Sequence, residues 1–297
     1  MRRRVVDWKQ ISSPRVPGDN AIGIITINRP EHANSLSPRL GFELDQVMDE
    51  AKHSTARVII VTGAGGNFGA GGDLKIESAL TEESEESPLG LKGEYGELAL
   101  WLLNDYYHVI SQRACKKFED LPQPTIAAVD GIAVGVGLEL AISADLRIVS
   151  DRVRFGEPAV PAGFMSEWSA PRRLPQLIGQ TRANEMILTG RIIRAEEAER
   201  IGLVNKVVTA DQLLDEAIDW AQRIASYPAV GVKYAKETIR LYQNKNRSDA
   251  DMALELERVL EITRNKDCAE GLAAFNEKRR PVYHPGNPVR RPGKNDE

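Results

Sequence analysis

The sequence predicts an α/β fold, and three observations support this. Short apolar, β-branched runs alternate along the chain with segments whose apolar residues recur at helical spacing. Two of these runs, residues 58–62 and 125–129, lead directly into glycine-rich turns. From residue 181 onward the pattern is mostly helical. Strands that alternate with helices form a mainly parallel sheet with right-handed crossovers.

Four apolar runs predict buried strands, at residues 21–28, 58–62, 125–129 and 146–149. Arg29-Pro30 ends the first, because the residue before a proline is restricted and proline cannot continue the ladder. The second runs into the loop 63–73, GAGGNFGAGGD. The third breaks at Asp130-Gly131, ahead of a Gly-Val-Gly turn.

Helical spacing predicts helices at residues 37–51, 195–200, 211–226, 230–244 and 250–264. The first has Ser37 as its N-cap and Pro38 in its first turn, both typical of a helix start. Between the glycine loop and the third strand lies the long segment 78–120. It is acidic at first and then rich in large apolar groups, among them Trp101.

Composition excludes several classes of protein. The 297 residues suffice for one large or two modest domains, and a net charge of −4 gives no general attraction to nucleic acid or anionic membrane. Two cysteines, Cys115 and Cys268, are too few and too distant for a disulfide framework, and no pattern indicates a metal site. No apolar run is long enough to span a bilayer, and the start is a poor secretory signal. A cytoplasmic protein is expected.

The stretch 125–145, TIAAVDGIAVGVGLELAISAD, carries the chemistry. A strand, a glycine turn and a helix start place free backbone N–H groups at the positive end of a helix, where a developing negative charge is stabilised. Glu139 stands there alone in apolar sequence, which suits proton transfer. The alternative is an acid that merely complements the helix dipole. Neither glycine loop has a phosphate-loop or dinucleotide fingerprint.

Six ordered motifs resemble the crotonase, or enoyl-CoA hydratase/isomerase, family: NRPEHANSLS (28–37), VIIVTGAGGNFGAGGDLK (58–75), PTIAAVDGIAVGVGLELAISADLRIV (124–149), FGEPAVPAGF (155–164), RRLPQLIG (172–179) and LTGRIIRAEEAERIGLVNKVV (188–208). The resemblance implies a crotonase-like spiral of ββα repeats with a helical C-terminal trimerisation region. It divides the chain into an N-terminal extension (1–19), a spiral core (20–208), a helical region (209–280) and a flexible tail (281–297). It also implies a homotrimer or a dimer of trimers.

The resemblance implies a coenzyme A thioester as substrate, with no cofactor and no metal. Its motifs place two oxyanion-hole N–H donors on Gly72 and on Val136, where the family usually has glycine. Such donors stabilise an enolate, and one is typically worth about 3–4 kcal/mol. Glu139 falls on one of the family's two catalytic glutamates.

The second glutamate of family hydratases is missing, because its position is Ala159. Glu157, two residues earlier, would share the face of an extended strand but at a different depth. Glu167 falls where dienoyl-CoA isomerases and some acyl-CoA hydrolases of the family have a catalytic aspartate. We therefore expect Glu139 and Glu167 to form the acid–base pair, and a surface role for Glu167 is the alternative.

Residues expected to contact substrate or coenzyme A by resemblance are Ala33, Asn34, Ala70, Gly71, Asp73, Leu74, Trp101 and Lys278. Trp101 would line a large acyl pocket, although such side chains more often pack into the core. Lys278 would approach the phosphates, although basic residues near a chain end are usually solvated. The expected reaction is hydration of a bulky or cyclic enoyl-CoA. Isomerisation, ring-opening hydrolysis of a β-keto acyl-CoA and noncatalytic acyl-CoA binding are the alternatives, and RNA binding is disfavoured by the acidic composition.

Overall fold

The structure is a computed structural model. It describes residues 4–14, 21–73, 113–162, 165–166, 169–243, 254, 257–261, 266–279 and 281–283. The main sheet has six strands: β1 (Val6–Ile11), β2 (Ile22–Ile27), β3 (Val58–Gly63), β4 (Thr125–Val129), β6 (Leu146–Ser150) and β9 (Lys206–Val208). They lie in the order β1-β2-β3-β4-β6-β9, and β1 alone runs antiparallel to its neighbour.

The central strands are buried on both faces, as their nearly unbroken apolar sequence requires. Along β2, Ile25 and Ile27 pack into the larger hydrophobic cluster, while Ile22 and Ile24 pack into a second cluster on the other face. A second, three-stranded sheet contains β5 (Ile132–Val134), β7 (Arg154–Gly156) and β8 (Ile192–Arg194) in the order β5-β7-β8.

The helices are α1 (Pro38–Lys52), α2 (Val136–Ser143), α3 (Ala170–Ile178), α4 (Gln180–Thr189), α5 (Ala195–Arg200), α6 (Leu213–Ala225), α7 (Ala229–Gln243) and α8 (Lys266–Asn276). Residues 113–119 and 257–261 are also helical. Helix α6 covers the second cluster with its alanine stripe, since Ala217, Ala221 and Ala225 are all buried. Within the described part of the chain, no helix is long and apolar enough to cross a membrane.

The predicted strands and helices that fall on described residues are present, with ends shifted by at most a few residues. The sequence does not predict β1, which lies within the expected N-terminal extension. This strand is at the edge of the sheet and alternates polar with apolar residues, so it has no apolar run to reveal it. The three-residue strands of the second sheet are also missed. Most of the segment 78–120, including Trp101, lies outside the described residues.

Parallel pairing brings the two glycine-rich loops together. Strands β3 and β4 are hydrogen-bonded neighbours in parallel register, with Thr62 opposite Ala128. Their carboxyl ends therefore open at the same edge of the sheet, where the ligands of α/β proteins usually bind.

A buried charge cluster attaches helix α7 to the core. Lys236 contacts the carboxylate of Asp145 at 2.6 Å and the carbonyl of Gln123 at 2.6 Å, and Arg240 lies 3.0 Å from the same carboxylate. Burial lowers the pKa of Lys236 from its ordinary value of 10.5 to about 8, against the opposing attraction of Asp145.

This pKa predicts a pH dependence of stability. Between pH 8 and 10.5 the unfolded chain keeps a proton on Lys236 that the folded chain has lost, so the free energy of unfolding rises with pH in that window. Lys236→Met should remove this contribution. Chemical denaturation of both proteins across the window measures the difference, and parallel pH profiles would contradict the prediction.

Candidate active site

The first glycine loop, residues 63–73, is anchored by its own hydrogen bonds and by the buried side chain of Phe68. The N–H groups of Phe68 and Gly69 both donate to the carbonyl of Ile132, at 3.0 and 2.9 Å. The N–H of Val134 donates back to the carbonyl of Gly69 at 3.0 Å. The loop is thus bonded directly to strand β5, which precedes the second loop.

The second glycine loop, residues 134–137, has a shape that requires glycine. Gly135 has φ 51°, and its N–H donates to the carbonyl of Gly156 at 3.0 Å. A Cβ on Gly137 would lie 2.1 Å from the carbonyl oxygen of Gly69, which no side chain could tolerate. The two loops therefore touch through their backbones.

The predicted donors Gly72 and Val136 lie on these two touching loops. The N–H of Leu36 donates to the carbonyl of Gly71 at 2.7 Å, and the N–H of Asp73 donates to the carbonyl of Leu36 at 2.9 Å. In such a parallel bridge, the residue between these bonds points its own N–H away from the partner strand. Val136 is the first residue of α2, so its N–H has no acceptor within the helix. Within the described residues, neither N–H has a backbone acceptor.

The turn at Ala33 and Asn34 packs against the first loop. Both residues have positive φ, 49° and 59°, and the carbonyl of Ala33 accepts from the N–H of Ala70 at 3.1 Å. The Asn34 amide donates to the carbonyls of Ala64 and Asn67 at 2.9 and 2.6 Å. Four predicted substrate contacts, Ala33, Asn34, Ala70 and Gly71, are thus brought together.

Glu139 lies in α2, one turn after Val136, with 2% of its surface exposed. Its Oε1 accepts from the N–H of Ala170 at 3.3 Å, at the start of α3. Its backbone carbonyl accepts from the hydroxyls of Ser143 and Ser169, at 2.7 and 2.9 Å. The carboxylate is therefore buried, oriented by a helix N-terminus and fixed to the helix that supplies a donor.

Two buried arginines hold the other end of α2. Arg173 donates from Nε to the carbonyl of Ile142, and Arg147 donates from Nη1 to the carbonyl of Ala144 at 2.8 Å. Arg173 and Arg172 both bind the carboxylate of Glu119. Burial tends to raise the pKa of Glu119, but these two arginines hold it below its usual value. The helix that carries Glu139 is thus fixed at both ends.

Cys115 lies in the helical residues 113–119. The thiol is buried, and its pKa is raised well above the usual value by burial and then by the negative charges of Glu139 and Glu119. The sequence does not predict this effect, because it acts between residues more than twenty positions apart in the chain.

The positions considered for the second carboxylate all follow strand β7 in the chain. Strand β7 ends at Gly156, so Glu157 follows the strand rather than continuing it, and it is 2% exposed. Ala159 is half-buried and carries no acid. Glu167 lies outside the described residues. The hydroxyl of nearby Ser166 is buried and has no hydrogen-bond partner within the described part of the chain.

Of the other four residues predicted to contact substrate or coenzyme A, two lie within the described part of the chain, Asp73 and Lys278. The carboxylate of Asp73 forms an ion pair with Arg29 at 2.6 Å. Lys278 is exposed and has φ 54°, the left-handed geometry of a helix end, since it lies two residues after α8. Leu74 and Trp101 lie outside the described residues. Among the residues that are described, no three acids, histidines or cysteines group together as metal ligands would.

Sequence reasoning missed Arg29, Ser169 and Ala170. A serine followed by Ala-Pro is a typical helix start and could have indicated α3. That its first N–H binds Glu139, however, is a tertiary contact that no local pattern reveals.

The chain is similar to known proteins over most of its length. A family model described as enoyl-CoA hydratase/isomerase matches residues 18–286. The chain is 35% identical to the putative enoyl-CoA hydratase/isomerase YngF of Bacillus subtilis, covering 88% of this chain and 94% of that protein. It is 34% identical to a short-chain-enoyl-CoA hydratase of Clostridium acetobutylicum, with the same coverage. The crystal structure of an enoyl-CoA hydratase from Bacillus anthracis superposes with a TM-score of 0.78 at 33% identity, covering 94% of this chain and 98% of that one.

Proposed function

Because the chain belongs to the enoyl-CoA hydratase/isomerase family and has its crotonase fold, we propose that this acyl-CoA enzyme hydrates an enoyl-CoA through a thioester enolate. The observation that carries the proposal is the pairing of a donor and an acid on one helix. Val136 supplies an N–H at the start of α2, and buried Glu139 follows one turn later, beside the loop that carries Gly72.

The proposed mechanism uses these groups in order. Water adds to the β-carbon of the enoyl thioester, and the electron pair of the double bond moves onto the thioester oxygen. The N–H groups of Gly72 and Val136 stabilise that oxygen, each contributing about 3–4 kcal/mol. Glu139 and a second carboxylate take a proton from the water and deliver one to the α-carbon, which gives the β-hydroxyacyl thioester.

We propose Glu167 as the second carboxylate, since Ala159 cannot move a proton. Glu167→Gln should lower the turnover rate by about 10²-fold, a typical cost of losing a general acid or base. Glu157→Gln, the matched control, should change the rate by less than about threefold. Steady-state kinetics on a common enoyl-CoA compares the two, and the reverse order would transfer the role to Glu157.

A double-bond shift is the second candidate reaction, and Ala159 is the observation that favours it. A single carboxylate can remove a proton at one carbon and return it at another, so isomerisation tolerates the loss of the second glutamate better than hydration does. The same two N–H donors would stabilise its dienolate.

A panel of acyl-CoA substrates tests the proposal. The protein is mixed with straight-chain enoyl-, dienoyl-, cyclic enoyl- and cyclic β-keto acyl-CoAs, and the masses of the products are measured by mass spectrometry. A gain of one water supports hydration, or ring opening for a β-keto substrate. Unchanged mass with altered ultraviolet absorbance supports isomerisation, and free coenzyme A indicates thioester hydrolysis. Binding without turnover of any substrate would leave an acyl-CoA binder and contradict the enzyme mechanism.

We propose a bulky or cyclic acyl group, with Trp101 in the acyl pocket and Lys278 near the phosphates. The proposal for Trp101 rests on its position in the family's sequence pattern and on the aromatic side chains among residues 101–107. Residues 101–107 all lie outside the described part of the chain. The chemistry proposed uses only the chain's own groups and no cofactor.

We also propose assembly as a homotrimer or a dimer of trimers. Apolar side chains at Val160, Leu188 and Ile192 are exposed, and helix α4 packs against the turn Val160–Ala162 that carries the first of them. An exposed apolar surface of this kind is suited to contact with another copy. The cytoplasmic location stays a prediction.

A further inference from the structure

We propose that Arg29 is a positioning residue of the oxyanion hole and acts through Asp73 on the N–H of Gly72. The inference rests on the proposed function of that N–H. Arg29 lies two residues after the end of β2, and the side chains of Arg29 and Asp73 are 12% and 8% exposed. Its Nη2 lies 2.6 Å from Oδ2 of Asp73, the residue directly after Gly72.

The guanidinium joins two segments that converge on the first glycine loop. While Nη2 binds Asp73, Nη1 donates to the carbonyl and the hydroxyl of Ser35, at 3.0 and 2.9 Å. The backbone of Arg29 is fixed in turn, because its N–H donates to Oδ1 of Asn34 at 2.8 Å. Both terminal nitrogens are engaged with protein groups, so Arg29 would act on the reacting atoms only through another residue.

The direction of the Gly72 N–H depends on this arrangement. Glycine torsions are soft, so Gly71 and Gly72 take their orientation from the contacts on either side. Those contacts include the two backbone bonds to Leu36 and the ion pair of Asp73. Without Arg29, the buried carboxylate would lose its ion pair at 2.6 Å, and the residue next to Gly72 would lose its link to Ser35.

The measurement is the infrared carbonyl stretch of butanoyl-CoA labelled with ¹³C at the thioester carbon. Butanoyl-CoA has no double bond, so it binds without being hydrated. Oxyanion-hole donors polarise the carbonyl and shift its stretch to lower wavenumber on binding. The proposal expects a clear shift in the wild type and loss of at least about half of it in Arg29→Met. The affinity for butanoyl-CoA should change by less than about threefold, because the donors contribute little to ground-state binding.

The substitution should likewise affect kcat much more than KM. Arg29→Met is expected to lower kcat by about 10–100-fold with little change in KM, since misplacing a catalytic donor costs rate rather than binding. Arg29→Lys should recover part of the carbonyl shift and part of kcat, because it restores the charge but not the simultaneous contact with Asp73 and Ser35. Arg113→Met is the control. It removes an arginine from the equally buried carboxylate of Asp45, outside the two glycine loops, and should retain the full shift.

The outcomes separate this inference from the function on which it rests. A full carbonyl shift and full kcat in Arg29→Met would overturn the role of Arg29 and leave the oxyanion hole intact. No shift in the wild type would overturn the oxyanion hole itself, and this inference with it. If Arg29→Met does not fold, Asp73→Asn removes the charge at the same place. The proposal then expects it to lose part of the shift, and an unchanged shift would contradict it.

Discussion

Glu139→Gln is expected to lower the turnover of an enoyl-CoA by about 10²–10⁴-fold, the usual cost of removing a general acid or base. Glutamine has the same size and can still accept from the N–H of Ala170, so the buried site should keep its structure. It cannot take up or release a proton at working pH. Steady-state kinetics on the best substrate of the panel measures the effect, with circular dichroism and thermal unfolding as the test of structure.

The control for this amide substitution is Glu197→Gln. Glu197, in helix α5, forms an ion pair with Arg191, and its substitution should leave the rate within about twofold. Undiminished turnover in Glu139→Gln would remove Glu139 from the mechanism. Loss of structure together with loss of rate would instead assign it a structural role.

The second large effect is expected from Val136→Pro, which deletes one oxyanion-hole donor. Val136 is the first residue of α2, a position that suits proline because the N–H there has no helical acceptor. Gly135 has φ 51° and ψ −123°, outside the helical region that a following proline disfavours. The substitution should therefore spare the helix but lower kcat by about 10²–10³-fold, or about 3–4 kcal/mol of transition-state stabilisation.

Val136→Ala is the matched control, because it truncates the side chain and keeps the N–H. It should retain kcat within about tenfold and change KM according to how the acyl group fits. Equal losses in the two variants would mean that the side chain of Val136, rather than its N–H, carries the effect.

Strands β2, β3, β4 and β6 were predictable because each is a buried apolar run, which local sequence encodes directly, whereas β9 was not, since its three residues are only half-buried. Residues 125–129 of the sequence prediction are strand β4 without any shift. Strand β1 and the strands of the second sheet were missed, since three-residue strands and edge strands owe their structure to the neighbours that pair with them.

The site was predictable where it depends on motifs and not where it depends on tertiary contacts. Gly72, Val136 and Glu139 were named from sequence, and the structure brings the two glycine loops together. Asp73, expected to contact coenzyme A, forms an ion pair with Arg29 from another segment, which the sequence does not predict. Glu157 was expected to share a strand face, but β7 ends one residue before it. Neither outcome is encoded by residues adjacent in sequence.

The central claim is that Gly72 and Val136 stabilise an enolate while Glu139, with a second carboxylate, transfers the protons of the reaction. Turnover of an enoyl-CoA in deuterated water tests it most directly, with the product returned to ordinary water and its carbon-bound deuterium located by nuclear magnetic resonance. The mechanism predicts a β-hydroxyacyl product with one deuterium at the α-carbon, formed at least about 10²-fold more slowly by Glu139→Gln and by Val136→Pro than by the wild type. Formation of this deuterated product at equal rates by the wild type and Glu139→Gln, or a product with its deuterium on a carbon other than the α-carbon, would contradict the mechanism.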